Sequence, residues 1–566
     1  MRSGYRLTMT CARLELFPLL IVASTAGCTA PQSPGGARAS ADAPGSVLSR
    51  PAESGAAPTG LELPTGLWSD VTAELLGPTE QWTNGVELAD LDGDGRVDIL
   101  FANGGNYSEA GELELNRAFF NRGSGEPFEE RTEAVFGRTP DTSRVIKARD
   151  LDGDGHVDIV VGNTFQTRSR LFLGQGGGAF TEVTATHLPD QELSVGDLEL
   201  GDVDADGDLD LVLADWGPGD NMVNDGGRTR LWLNDGAGHF SDVTAERMPR
   251  TLVEFSWDLE FVDVDNDFDL DVVVSCKRCA NNKLYRNDGS GVFEEASWAL
   301  PAYTNNYEFE ALDLDGDGFL DLVTVNDGQI VAGGGGASRR EHVFRNRGGR
   351  FFQDMSTQWW PASENVGEDD NMVAFLDFDS DGDADFVLGS LTGRDRLLIN
   401  DGDGALRMAD EVIGGEQTPG TLAIALADLD GDGRLDLVQA QGEHPQAVDE
   451  RLYLGTGLAM DSAPPHIGPT SAMVAGDGGV RVVARVHDRK SPAAPHDLRG
   501  VELRWSTDGE SGSAPMAWYG EFLWRAELPP GIEATSIEIV ATDAVGNQAS
   551  VEVTLEDAEA AAPAGS

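Results

Sequence analysis

The sequence predicts an all-β chain: a closed ring of seven four-stranded units followed by a small β-sandwich. Three observations predict it. The pattern Asp-x-Asp-x-Asp-x-x-x-Asp occurs seven times, beginning at Asp90, Asp150, Asp202, Asp263, Asp313, Asp377 and Asp428. Each copy joins two short apolar runs. A third run, a tight turn and a fourth run follow, most clearly in Arg230-Leu231-Trp232-Leu233-Asn234-Asp235-Gly236 and onward to Phe240-Ser241-Asp242-Val243-Thr244. The last copy lacks its fourth run, yet Trp68-Ser69-Asp70-Val71-Thr72-Ala73-Glu74 upstream of the first nearly duplicates residues 240–246. A recurrence of roughly fifty to sixty residues means one supersecondary unit per repeat. The displaced strand completes the last unit and leaves no free edge there, which makes the array a seven-bladed β-propeller rather than an open solenoid.

In chain order, Arg2, Arg6 and Arg13 precede an apolar run from Leu16 to Ala26, and Gly27-Cys28 follows. Residues 1–28 resemble a bacterial lipoprotein signal peptide. The resemblance implies lipidation of Cys28 and export to the outer membrane or cell surface, with the membrane met only through that anchor. Thr25 stands where the pattern favours Leu, and an ordinary cleaved signal is the alternative reading. Residues 29–60 are mostly Ala, Pro, Ser and Gly and read as a flexible tether. The propeller takes residues 61–462, the sandwich 463–556 and a disordered tail 557–566.

The aspartate loops carry the chemistry. Carboxylates at positions 1, 3, 5 and 9 point inward only around a cation that neutralises their repulsion, and position 7 can add a carbonyl oxygen. The expected ligands are Asp90, Asp92, Asp94, Arg96 and Asp98 in loop one, and Asp150, Asp152, Asp154, His156 and Asp158 in loop two. Loop three has Asp202, Asp204, Asp206, Asp208 and Asp210, and loop four Asp263, Asp265, Asp267, Asp269 and Asp271. Loop five has Asp313, Asp315, Asp317, Phe319 and Asp321, and loop six Asp377, Asp379, Asp381, Asp383 and Asp385. Loop seven has Asp428, Asp430, Asp432, Arg434 and Asp436. Arg96, His156, Phe319 and Arg434 would contribute carbonyls.

Position 6 is Gly in every loop but the fourth, where it is Phe268. An EF-hand would need Glu at position 12, where this chain has Phe101, Val161, Leu213, Val274, Thr324, Leu388 and Gln439. Hard oxygen donors favour Ca²⁺, up to seven ions, over Mg²⁺, which keeps its waters. Asp-Gly hairpin turns without metal are the plainer alternative, but they do not account for four matched aspartates in every copy.

With 98 acidic and 40 basic residues the net charge is −58. Such a surface excludes nucleic acid as a partner. Cys11 falls in the signal, so Cys276 and Cys279 are the pair left in the mature domains, and an oxidising compartment favours a disulfide between them.

On these motifs, residues 65–460 resemble the FG-GAP/VCBS repeats of integrin α-subunit propellers and bacterial surface proteins. The resemblance implies Ca²⁺ loops on one face and a ligand on the opposite one. Connections between second and third strands are long in repeats one, three and five, short in two, four and six, and modest in seven. They raise residues 102–116, 213–229, 324–341 and 439–450 above that far face. Tyr107, Trp216 and Arg228 are candidate contacts there, each equally readable as ordinary loop packing, and His342 and His444 lack an evident metal partner.

Residues 463–556 alternate as short strands, and Ala541-Thr542-Asp543-Ala544-Val545-Gly546-Asn547 resembles the end of Ig-like and fibronectin-like domains. Trp505, Trp518, Tyr519 and Trp524 read as the core of that sandwich.

No nucleophile elbow, His-Glu-x-x-His or phosphate loop is present. The favoured function is non-enzymatic: a surface-anchored binding or adhesion protein for a protein or glycan ligand. The alternative is a carbohydrate-active enzyme such as a polysaccharide lyase, some of which resemble this propeller. It would require a basic cluster beside a metal.

Overall fold

The structure, a computed structural model, describes residues 66–556 apart from 106–109, 124, 220–223, 278–280, 304–305, 327–340, 410–412, 414–419, 443–447, 475–478 and 533. The segments expected as signal, tether and tail, with Cys28, lie outside the described residues. So do Tyr107, Cys279 and His444. No helix among the described residues is long and apolar enough to cross a membrane.

Seven four-stranded antiparallel sheets, the blades, follow one another from residue 69 to residue 454. Their first strands are Thr83–Ala89, Ser143–Arg149, Val195–Gly201, Leu259–Val262, Asn306–Leu312, Asp370–Leu376 and Thr421–Ala427. These stand side by side around an axis, and the last lies beside the first. Second strands such as Asp98–Asn103 and Asp210–Asp215 are buried along their whole length, because each is packed by the neighbouring blades on both faces. Hence they read as continuous apolar runs rather than alternating ones.

The ring closes through the N-terminal strand. Ser69–Asp70 pairs with Arg451–Leu454 as the outer strand of blade seven, and Trp68 Nε1 donates to Leu435 O at 2.9 Å. The Asp-Val-Thr recurrence has a mechanical reason. Asp242 Oδ1 accepts from Thr244 N, and Thr244 Oγ1 accepts from Leu231 N at 3.0 Å, so the outer strand is pinned to its neighbour as a short helix begins. Asp70 and Thr72 repeat this in blade seven, with Leu452 N donating to Thr72 Oγ1 at 3.0 Å. Helices after the outer strands, such as Thr132–Phe136 and Ser356–Trp359, were not foreseen from sequence.

The Asn that opens the third-to-fourth-strand turn does more than turn the chain. Its side-chain N–H groups reach the preceding blade's loop. Asn234 donates to Leu151 O, Asn287 to Val203 O, Asn346 to Val264 O and Asn400 to Leu314 O, all within 2.9 Å. Asn121 donates to Leu429 O at 2.7 Å across the closing junction. Blades two and seven carry Gly174 and Gly455 there and lack the bond.

The C-terminal residues form two stacked sheets, one of them built on Leu498–Ser506 and Ser536–Asp543, the other on Val480–His487 and Leu523–Leu528. Val482, Leu503, Trp524 and Ile539 make the core, with Trp505 and Trp518 packed at its edge. Tyr519 is a correction. It is buried in the propeller's cluster with Phe261 and Leu270 rather than in the sandwich core. The sandwich therefore docks on the propeller, at the end that carries the aspartate loops.

Candidate metal centre

Every loop leaves the end of a first strand and re-enters at a second strand. Its curl is fixed by its own amides. Asp90 Oδ1 accepts from Gly93 N and Asp94 N, and Oδ2 accepts from Gly95 N at 2.8 Å. Asp428 holds Gly431, Asp432 and Gly433 in the same way. Asp94 and its equivalents then accept from the position-7 amide. The position-6 glycines have φ between +82° and +112°, and Phe268 takes the same left-handed region at +67°. Position 4 is left-handed too. Four loops have glycine there, but Ala205, Asn266 and Ser380 adopt φ near +60° in loops three, four and six. A Cβ makes that region costly by about 1–2 kcal/mol. Sequence reasoning singled out position 6 alone.

One carboxylate oxygen from each of Asp90, Asp92 and Asp94 lies within 4.8 Å of the others, as do those of Asp150, Asp152 and Asp158, and of Asp313, Asp315 and Asp321. The position-3 aspartates show what the loops lack. Asp92, Asp204, Asp265 and Asp315 each bury an Oδ1 with no hydrogen-bond partner. A carboxylate oxygen left so is costly, and an oxygen-seeking cation would satisfy it. The donor set thus fits Ca²⁺, held by positions 1, 3, 5 and 9 with the position-7 carbonyl. Such an ion supplies charge neutralisation and rigidity.

The ninth aspartate has a second role. In all seven blades one of its oxygens accepts from the position-2 amide and the other from the end of the third strand. Asp158 receives Leu151 N at 2.8 Å and Gly174 N at 2.7 Å, and Asp436 receives Leu429 N and Gly455 N at 2.8 Å each. Burial pushes Asp158 to about 7 and Asp210 to about 8, against the pull of those amides. Asp208, Asp269 and Asp383, at position 7, turn their side chains against the hairpin glycines Gly236, Gly289 and Gly402, so only their carbonyls remain for the loop.

Arginines crowd several loops. Arg131 approaches Asp92, Arg247 meets Asp204 at 3.0 Å, Arg286 meets Asp265 at 2.8 Å and Arg345 meets Asp315 at 2.5 Å. Others come from the sandwich. Arg485, only 2% exposed, lies 3.1 Å from Asp263 and bonds Asn266 and Gly318 O. Arg525 pairs with Asp202. Tyr519 Oη donates to Phe268 O at 2.9 Å, and Arg489 donates to Gly382 O at 2.6 Å.

Two clefts flank the docked sandwich. One, about 670 Å³, lies between loops one, six and seven and the sandwich, and Arg96, Arg434, Arg489, Lys490 and His496 line it. The other, about 460 Å³, borders loops two and three near Trp518 and Arg525.

On the far face the candidate contacts are structural. Trp216 is 1% exposed and stacks on Phe255 at 4.5 Å. Arg228 donates to Thr244 O, Met248 O and Pro249 O. His342 is half-buried against Tyr303, and that burial lowers it to about 4. Cys276 is disulfide-bonded, and its expected partner Cys279 is outside the described residues.

The FG-GAP-like repeat model matches residues 90–161, 150–213, 219–274, 269–324 and 377–438, together just over half of the chain. No curated protein matches. Solved structures with some likeness include BBS1N in complex with ARL6DN, at 11% identity and TM-score 0.42 over 70% of this chain and 99% of that one. A protein from Lactobacillus plantarum is similar at 14% identity and TM-score 0.38, over 62% and 88% of the two chains. The V. cholerae biofilm matrix protein Bap1 is similar at 15% identity and TM-score 0.32, over 85% and 74%.

Proposed function

Since the chain belongs to the FG-GAP-like repeat family, we propose that it is a non-enzymatic, Ca²⁺-stabilised binding or adhesion protein. It acts outside the cell on a lipid anchor at Cys28 and takes a protein or glycan ligand on the face opposite the loops. The observation that carries this reading is the docking of the sandwich. Arg485, Tyr519, Arg489 and Arg525 spend the carbonyls and carboxylates of loops three to six on an internal seam. The loops thereby serve as structure, and the long connections of the far face are left for recognition. A screen of glycans and surface proteins, run with Ca²⁺ and with chelator, tests it. Binding should require Ca²⁺ and fall when residues 217–226 are replaced by a short Gly-Ser link. Full binding by that variant would overturn the choice of face.

A second reading is favoured by one observation. The larger cleft gathers Arg96, Arg434, Arg489, Lys490 and His496 beside loops one, six and seven. A base and positive charge beside metal-held carboxylates are what β-elimination from a uronate needs. Incubation with uronate polysaccharides, followed by the ultraviolet absorbance of the unsaturated product, decides it. No product with Ca²⁺-loaded protein removes the lyase reading.

A further inference from the structure

The residue three places before each loop lies on a first strand, one of the seven that stand side by side around the axis. Around the ring these are Glu87, Lys147, Glu199, Glu260, Glu310, Ala374 and Ala425. Blades three, four and five therefore present three glutamates at one level. Two residues earlier stand Asp197 and Glu308 on the same strands, with Asp258 just before Leu259–Val262, and residues two apart on a strand share a face. This lower tier is explained by the fold. Asp197 accepts from Leu259 N, Asp258 from Phe309 N and Glu308 from Val373 N, each bond tying one blade to the next. At the upper level Lys147 meets Glu199 at 2.5 Å, and Arg149 is paired with Glu87 at 2.5 Å. The other wall, blades six and seven, offers only alanine.

Into this acidic tier the sandwich inserts another acid. Glu521, in a turn at φ +46°, follows Tyr519, whose carbonyl accepts from Asp202 N at 2.8 Å, and Gly520, which packs against Gly201 two residues beyond Glu199. Burial raises the proton affinity of Glu521 and Glu260, and the negative charges of Glu310 and Glu199 add to it at both. Glu310 is 5% exposed. It accepts a hydrogen bond from Ser491, while its Oε2 is buried with no hydrogen-bond partner, within the field of Lys147 and Glu199. Lys147, with Arg149 already paired to Glu87, cannot balance four largely buried carboxylates, and like charges gathered away from water are expensive. Docking a glutamate there makes physical sense if something positive lies between.

We propose that the axial channel holds a hard divalent cation, bound by the carboxylates of Glu199, Glu260, Glu310 and Glu521, which clamps the sandwich to the propeller. This site is separate from the aspartate loops and shares no ligand with them. It differs from them in bridging two domains.

The test uses the full chain with Ca²⁺ as probe. Bound Ca²⁺ is counted by native mass spectrometry in the wild type and in a Glu260→Gln/Glu310→Gln double variant. The variant should hold one ion fewer. In chelator it should melt above the wild type, because a buried repulsion is gone, and it should gain less from added Ca²⁺. An unchanged count overturns the proposal, whatever the loops do. Should the variant not fold, anomalous scattering from wild-type crystals soaked in Mn²⁺ replaces it. A peak among the four glutamates supports the site, and peaks confined to the loops overturn it.

Discussion

Loops two and four share the same four-aspartate pattern and differ in almost everything around it. Loop two lies open: Asp150 and Asp154 are exposed, and among the described residues no ion pair reaches its carboxylates. Loop four is roofed by the sandwich. Arg485 sits on Asp263, Arg286 on Asp265, Tyr519 on the carbonyl of Phe268, and two non-glycine residues hold left-handed backbone. The same motif is thus an open loop in one blade and a docking surface in another. A guanidinium and a cation on one carboxylate compete. Loop four therefore keeps its shape without an ion better than loop two does, and gains less from one.

Chelation gives the largest effect. Each site saturated a hundredfold above its Kd contributes about 2.7 kcal/mol, and that is lost. The propeller's thermal transition should fall by many degrees, while the sandwich, whose core contains no loop residue, keeps its own. Scans with and without chelator check this, and an unmoved propeller transition after verified metal removal would refute it.

Asp158→Ala should cost about 3 kcal/mol even in chelator, because two buried amides lose their acceptor. Asp154→Ala should cost little there, though both abolish binding at loop two. Equal costs in chelator would mean that the ninth aspartate is merely a ligand.

Arg485→Ala leaves Asp263 buried and unpaired, at about 3 kcal/mol in chelator. Added Ca²⁺ should recover part of it by supplying the missing charge. A loss of the same size in both conditions would end the argument for competition.

Glu450 tests burial away from any loop. It accepts from Gln441 N at 2.6 Å at the closing junction, and burial pushes it to about 8 from 4.5. Between those values the folded chain holds a proton that the unfolded chain releases. Its contribution is therefore full below pH 4.5 and declines as pH rises toward 8. In saturating Ca²⁺, Glu450→Gln should flatten that decline, and an unaltered pH profile would contradict the assignment.

Phe268→Gly should change least. It relieves left-handed strain of about 1–2 kcal/mol, so calorimetry should show loop four tightening by up to about tenfold. Phe268 also packs beside the cluster containing Tyr519, so stability without Ca²⁺ should fall slightly. Unchanged or weaker affinity would show that the strain is not felt at the ion.

Local periodicity made the ring legible. Aspartate spacing, the Asn-Asp-Gly turns and the displaced Asp70-Val71-Thr72 are each written within a few residues of the chain. What stayed hidden depends on partners far away. Asn346 reads as a turn residue until Val264 O is found 2.8 Å away in another blade. Arg485 and Arg525 read as ordinary strand residues, and no spacing announces that they cap loops more than two hundred residues earlier. Asp208 looks like a fifth ligand until its side chain is seen against Gly236.

The clasp of blade seven also sets a timetable. Leu452 N and Thr72 Oγ1 are 380 residues apart, so the first strand to be made is the last to be seated. Blades two to six need only neighbours already synthesised, whereas Arg451–Leu454 emerges with an open side and must retrieve its partner from the far end of the chain. Retrieval costs entropy that grows only with the logarithm of the distance, but the wait is long. Throughout it, residues 68–74 of a second copy present the same ladder and the same Asp-Val-Thr pin to the open edge. Newly made chains at high local concentration can therefore close on one another as well as on themselves, and dilution during refolding favours the self-closed ring.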